Sequence, residues 1–469
     1  MRATVSDRLM GPLGALLTGT LVAILLGVVA ARMGALFAVM GLTAIGLAAF
    51  VGARSLNILL AAIAISALLP YWYGRGGVTV AHLAQGLALL WIITAKTVRR
   101  TRLRWSGVDY AVVAVLVAAF LDWWLRGGNF AAARASADTF EPLIFYFAAR
   151  LVPLREIRHV LWVIIAATAI ASLSLFYEFA QGATVFQDPN AYYWAGNGID
   201  KIFRPGGVFG APPTAVTILA MVSLVAIPLL RETTGRWRKL LSAGIALMVA
   251  GGIITFTRAG WIGFGAGLLT YFFVLRWRAR IPLPRWLSVV PVAAVAVVLA
   301  LPTLSRTNWF QLGVQRQGTF AVRESYWTLA GKLITDAPNH LLLGRGINSL
   351  VAGARPEVGG LEASVAANPL LITMGAHNQY VRTLLEQGLV GLTLILLWLG
   401  GTIALAIRRM PALDLLDRRL LAGLAAATTS FLVVSTADTN LRDTVSFSVI
   451  ALLTGLAVTL CSSRPAAVT

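Results

Sequence analysis

The sequence predicts an all-α, polytopic membrane helix bundle of about 12–14 spans, with one long and partly helical loop on its outer face. Three observations predict it. The 469 residues are 58% hydrophobic and only 12% charged, where soluble domains carry about 25% charged residues. The apolar residues fall in runs long enough to cross a bilayer, which takes about 20 residues per helix. Lysine and arginine crowd into every second connection between those runs, the charge bias that orients membrane proteins.

Taken in order, the runs are 11–31, 33–52, 56–73, 78–95, 107–125, 139–153, 157–179, 210–230, 240–257, 259–275, 286–303, 385–407, 419–437 and 444–461. The sixth, "TFEPLIFYFAARLVP", is short and carries Glu141 near one end, so a tilted or partly re-entrant segment is expected there. The opening "MRATVSDRLMGPLGALL" has no small-residue cleavage site before the next apolar run, which reads as a first span and not a removed signal peptide. With no repeat, low-complexity linker or appended soluble stretch, residues 1–469 read as a single integral membrane domain. Cys461 is the only cysteine, which excludes a disulfide framework and a cysteine-based metal site.

With the N-terminus inside, the cytoplasmic connections are "KTVRRTRLR", "RLVPLREIR", "RETTGRWRK", "RWRARIPLPR" and "RRMPALDLLDRR", and both termini lie on that side. The net charge of +20 then sits almost wholly inside. The basic excess is a topology signal that also suits an anionic inner leaflet. Nucleic-acid binding explains it less well, because the basic runs alternate with the spans.

Two outer connections stand apart. Residues 304–384 form a loop far beyond the usual length, and such loops are functional or disordered. Within it, Phe320, Val322, Tyr326, Leu329, Ala330, Leu333 and Ile334 make a helical stripe ahead of Pro338. Residues 180–209 are rich in glycine and aromatics. Together these loops read as the cover of an outer-face site.

The polar groups of that face are the candidates for chemistry. Arg258, in "FTRAGWIGFGAG", lies at a span end; it either snorkels to the interface or stands as a fixed cation facing a phosphate. Arg323 sits on the loop helix with Trp327 one turn on, a spacing that lets the two stack. Arg204, in "FRPGGVFG", and Arg75, in "YWYGRGG", neighbour glycines that allow close backbone approach by a ligand or by the chain itself. Tyr192, Tyr193 and Trp194 suit either sugar stacking or interfacial anchoring. His377, in "GAHNQYVRTLLEQGLVGL", is one of four histidines. With Val381, Leu384 and Leu385 it falls at i, i+4, i+7 and i+8, a single helical face. A histidine in such a place is either structural or a general base. Arginine forks recognise phosphate in bidentate fashion. No acidic pair or His/Cys cluster accompanies them, so arginines, and not a metal, are expected to carry the charge of a lipid diphosphate.

These stretches resemble a known family. "GAHNQYVRTLLEQGLVGLTLIL" is similar to the HNxYLxxLxExGLxGL signature of the O-antigen ligase and polymerase superfamily of bacterial membrane proteins. "TFTRAGWIGF", "VRESYWTLAGKLITDAPNHLLLGRGINS" and "RPGGVFGAPPTAVTILA" look like three further stretches of that family, in its order. The sequence departs from the pattern in having "APP" where "NPN" is usual, and in a larger number of spans.

The resemblance implies transfer of a glycan from undecaprenyl diphosphate to an acceptor hydroxyl at the periplasmic face of the inner membrane, without metal, nucleotide or other cofactor. It assigns the essential roles to Arg258, Arg323 and His377. Attack by the acceptor from the far side of the anomeric carbon is expected to invert its configuration. Arg204, Arg75, Trp327, Asn378 and Tyr380 complete the expected substrate-binding set. The acceptor is a lipid A core glycan for a ligase or a second lipid-linked glycan for a polymerase, and the motifs do not separate the two. Asp122, in "FLDWWLRGG", is an alternative base. A polytopic lipid or sugar transporter is the reading from a different class; it fits less well, because transporters place ionisable groups near mid-membrane on broken helices and in repeats.

Overall fold

A computed structural model describes residues 56–68, 80–97, 103–125, 140–186, 194–195, 202–278, 327–328, 330–335, 338–347 and 377–462. The expected spans 11–31, 33–52 and 286–303 lie outside these residues. Among the described residues the regular structure is helical apart from one two-residue antiparallel pair, β1 (Trp194–Ala195) with β2 (Ile202–Phe203).

The helices, in chain order, are α1 (Leu56–Leu68), α2 (Val80–Thr97), α3 (Gly107–Leu125), α4 (Ile144–Arg150), α5 (Ile157–Gln181), α6 (Pro212–Leu229), α7 (Gly235–Ile254), α8 (Arg258–Phe273), α9 (Pro338–Leu343), α10 (Gln379–Arg409), α11 (Leu415–Val434) and α12 (Thr444–Cys461). Seven of them, namely α3, α5, α6, α7, α8, α10 and α12, are long and apolar enough to cross a membrane. The short sixth segment is a 3-10 turn at Glu141–Leu143 leading into the seven-residue α4. At about 1.5 Å per residue this is too short to cross alone. It lies instead against α12, with the Gly455 backbone close to Tyr146 and Ala149.

Burial separates the bundle into layers. Helices α6 and α12 are buried almost throughout, whereas α3, α7, α8 and α10 bury one stripe each. Because lipid is as apolar as leucine, helix association here depends on close fit and not on hydrophobicity alone. Helix α8 shows how. Gly263 and Gly267 face α11, where a side chain would strike Val434, Ser430 and the Ala426 carbonyl. The exposed aromatics Trp105 and Tyr110 at one end of α3, and Phe120 and Trp124 at the other, mark the two interfacial belts.

One end of the bundle is pinned by a buried ion pair. Arg150 Nε lies 2.7 Å from Asp109 Oδ1, with both side chains almost wholly buried. Tyr146 and Ser106 also donate to Asp109, while Arg150 reaches Thr459 and the Arg104 carbonyl. This ties α3, α4 and α12 together. A charge in hydrocarbon persists only when so paired.

At the opposite end, α10 contains a break at Gly388 (φ 64°, ψ −166°), a backbone region essentially confined to glycine. The carbonyls of Leu385 and Glu386, whose helical partners would lie beyond the break, accept instead from Arg345 N and Gly346 N, both at 2.8 Å. The break thus docks the segment 342–347, whose Leu342 carbonyl packs directly on Gly388.

Candidate active site

The site is built where α10 begins. Asn378 is the N-cap of α10, its side chain accepting from Tyr380 N at 2.9 Å and Val381 N at 3.1 Å. His377 therefore precedes the helix, with a positive φ of 43°. The expectation that it shares a helical face with Val381, Leu384 and Leu385 is corrected: capping by Asn378 turns the chain out of the helix one residue earlier. Gln379 N donates to the Ser435 carbonyl at 2.8 Å, and the Gln379 side chain accepts from Leu441 N. These bonds lock the start of α10 to the connection between α11 and α12. That connection brings Asp438 Oδ1 within 3.8 Å of His377 Nδ1. The His377 side chain remains about one-third exposed (32%).

The apolar stripe of α10 does something other than face the bundle. Val381, Leu384 and Leu385 pack with Trp327, Ala330, Leu333 and Ile334 of the outer loop, whose residues 327–328 and 330–335 are helical. The face that turns into the bundle is polar, with Gln379, Thr383 and Glu386 buried. Arg382 Nε holds Glu386 at 3.0 Å. So the loop helix is seated against the helix that begins just after the histidine. Arg323, four residues before Trp327 in sequence, and Arg75, Tyr192 and Tyr193 lie outside the described residues.

Arg204 and Arg258 meet the turn that joins α7 to α8. Between α7 and α8 the chain turns at Phe256, the second non-glycine residue with positive φ (50°). Arg204 spans that turn, with Nε donating to the Thr255 carbonyl at 3.1 Å and Nη2 to Thr257 Oγ1 at 2.7 Å. Arg258 follows as the first residue of α8, and its N-cap Thr257 contributes no side-chain acceptor to the first turn. Since α8 packs through Gly263 on the last turn of α11, and Ser435 after that turn holds Gln379, Arg258 and His377 share one end of the bundle. Backbone outliers of this kind concentrate at functional sites, and here one is the histidine itself and the other lies two residues before Arg258.

Other polar residues of this region hold structural contacts. Tyr380 donates its hydroxyl to the Leu432 carbonyl at 2.6 Å. Asp122 accepts from Ile347 N at 3.1 Å, which ties the end of α3 to the docked 342–347 segment. Asp443 caps α12 through Ser446 N and receives the Thr214 hydroxyl, both at 2.8 Å. Its withdrawal from water raises its pKa above the ordinary carboxylate value, with Asp438 nearby adding to the rise. Among the described residues, no group of three or more His, Cys, Asp or Glu is placed to hold a metal.

Sequence reasoning missed Glu178. It is completely buried near the end of α5 and accepts four backbone amides: Val185 at 2.9 Å, Phe186 at 3.0 Å, Gly206 at 3.1 Å and Gly207 at 2.7 Å. The available signal was an acidic residue inside an apolar run, which is rare without a specific partner.

The fold and site define a class: an all-α, multi-pass membrane protein with a histidine and arginines assembled at one end of the bundle. Residues 243–396 match the family model for O-antigen ligase, which supports the resemblance to the O-antigen ligase and polymerase superfamily. The matched segment includes Arg258, Arg323 and His377. No curated protein matches the chain.

Proposed function

We propose that this protein is a glycosyltransferase that moves a glycan from undecaprenyl diphosphate to an acceptor hydroxyl at the periplasmic face of the bacterial inner membrane. The observation that carries the reading is the shared bundle end: His377, with Asp438 at 3.8 Å, stands at the same end as Arg258. The termini are cytoplasmic, and loops 180–209 and 304–384 cover the site.

In this reading Arg258 and Arg323 hold the diphosphate and stabilise the charge that develops on it as the leaving group departs. His377 takes the proton from the acceptor hydroxyl. The acceptor oxygen forms its bond to the anomeric carbon from the side opposite the breaking carbon–oxygen bond, which inverts the configuration. The products are the glycosylated acceptor and undecaprenyl diphosphate, with the proton on His377. Asp438 lies 3.8 Å from His377 Nδ1, on the side of the ring that leaves Nε2 to take this proton. No step needs a metal or nucleotide.

The test is a reconstituted assay with a defined lipid-diphosphate glycan and two acceptors, a lipid A core and a second lipid-linked glycan. Transfer to the first makes the protein a ligase, and transfer to the second a polymerase. Arg323→Ala is expected to lower kcat/KM by about 10²–10³, as removal of an oxyanion donor does. Near-normal transfer by that variant, or substrate counterflow in proteoliposomes without transfer, overturns the proposal.

A further inference from the structure

We infer that Arg204 and Glu178 are positioning residues that set Arg258 in place for the diphosphate, and that Arg204 does not itself contact the ligand. This rests on the diphosphate reading of Arg258.

The argument begins with the turn at Phe256. A bulky residue with positive φ holds that conformation only if its surroundings impose it. Three contacts do so. The Phe256 side chain is buried, and its ring packs on Phe179 at a centroid distance of 6.2 Å. On the two sides of Phe256, the Thr255 carbonyl and the Thr257 hydroxyl accept from one guanidinium, that of Arg204. A planar fork can fix two acceptors at a set spacing where a lysine ammonium cannot. Arg204 therefore acts as a staple across the left-handed residue. The turn it fixes decides where α8 starts, and Arg258 is the first residue of α8.

Arg204 needs an anchor of its own, and Glu178 supplies it. The segment after Arg204 runs through Gly206 and Gly207, whose amides both donate to Glu178 Oε2. Oε1 of the same carboxylate holds Val185 and Phe186, where the outer connection leaves α5. One buried charge thus gathers both ends of that connection against α5. Phe179, the next residue, braces the Phe256 ring. The end of α5 therefore supports the turn twice, once through Glu178 and Arg204 and once through Phe179. Four amide donors satisfy the carboxylate fully, as a buried charge requires.

The two roles for Arg204 differ in what they predict. A guanidinium bonded to phosphate contributes beside Arg258, so the two losses add. A staple acts through Arg258, so its removal changes nothing further once Arg258 is gone.

The experiment measures binding of undecaprenyl diphosphate to the full-length protein in nanodiscs, for Arg204→Gln, Arg258→Ala, the double variant and Glu178→Gln. Thermal unfolding of each confirms the fold. Arg258→Ala and Arg204→Gln are each expected to weaken binding tenfold or more. The double variant is expected to match Arg258→Ala alone within about threefold, and Glu178→Gln to follow Arg204→Gln. Additive losses in the double variant, or normal binding in Arg204→Gln beside a defective Arg258→Ala, overturn the inference and leave the parent reading standing. Normal binding in Arg258→Ala overturns both. If Glu178→Gln does not fold, the Arg204–Arg258 cycle still decides the matter.

Discussion

His377 shows how little a residue type says until its backbone is known. Its φ of 43° places it outside α10, beside Asp438, and the cap formed by Asn378 keeps it there. His377→Ala is expected to lower kcat in the reconstituted transfer assay by about 10²–10⁴, the usual contribution of a general base. Full activity in that variant, with loss in Asp122→Asn, would move the role to Asp122. Asp443 carries a pH prediction. Its folded pKa is raised above the ordinary 3.8, so the folded protein keeps this proton to higher pH than the unfolded chain does. Its contribution to stability is most favourable in acid and declines as pH rises above about 4. Asp443→Asn still offers an oxygen to cap α12 but cannot ionise. Thermal unfolding is expected to show that the variant gains on the parent protein between pH 4 and pH 7. An equal difference at both values would contradict this.

Among the elements, α10 combines two jobs that its sequence runs together. Its first turns seat the outer loop helix through Val381, Leu384 and Leu385. Its break at Gly388 then receives the 342–347 segment through the Leu385 and Glu386 carbonyls. Gly388→Ala puts a methyl group into the Leu342 backbone and into a backbone region that alanine avoids. The expected cost exceeds about 1 kcal/mol. It should appear as faster proteolysis or hydrogen exchange within 338–347 while the α6 and α12 core stays protected. Unchanged exchange in that segment would show that the break does not dock it. Helix limits were largely legible: the apolar runs 107–125 and 444–461 coincide with α3 and α12. At the start of α10 the hydropathy rule began the span only at 385, because the turns from Gln379 to Glu386 are polar, whereas the helical spacing of Val381, Leu384 and Leu385 already marked those turns as helix. They are helical because their polar side chains find partners inside the bundle, Arg382 with Glu386 and Gln379 with Thr383.

At the scale of the whole molecule, the two bundle ends are organised oppositely. The end opposite the site is closed by the buried Arg150–Asp109 pair, whereas the His377 end keeps a part-exposed histidine. Arg150→Ala leaves Asp109 charged and without its main partner in a buried site, which costs about 3–5 kcal/mol. Unfolding of the purified protein in mixed micelles is expected to show that loss. Replacing both residues by apolar ones of similar volume should recover much of it. A neutral Arg150→Ala would mean that water reaches this pair.

The sequence by itself determined the class of the fold, because apolar runs of span length have only one stable form in lipid, a helix with every backbone group paired internally. The alternating basic connections indicated the orientation, and local motifs pointed to Arg258 and His377. Tertiary structure alone decided what surrounds those residues. Asp438 meets His377 across 60 intervening positions, Arg204 reaches the Thr255–Thr257 turn, and Glu178 collects amides from two segments of the chain. Each is a contact between a polar group and a backbone or carboxylate that is distant in sequence. Hydrophobic periodicity records which face of a helix is buried and carries no information about which buried polar group it will meet.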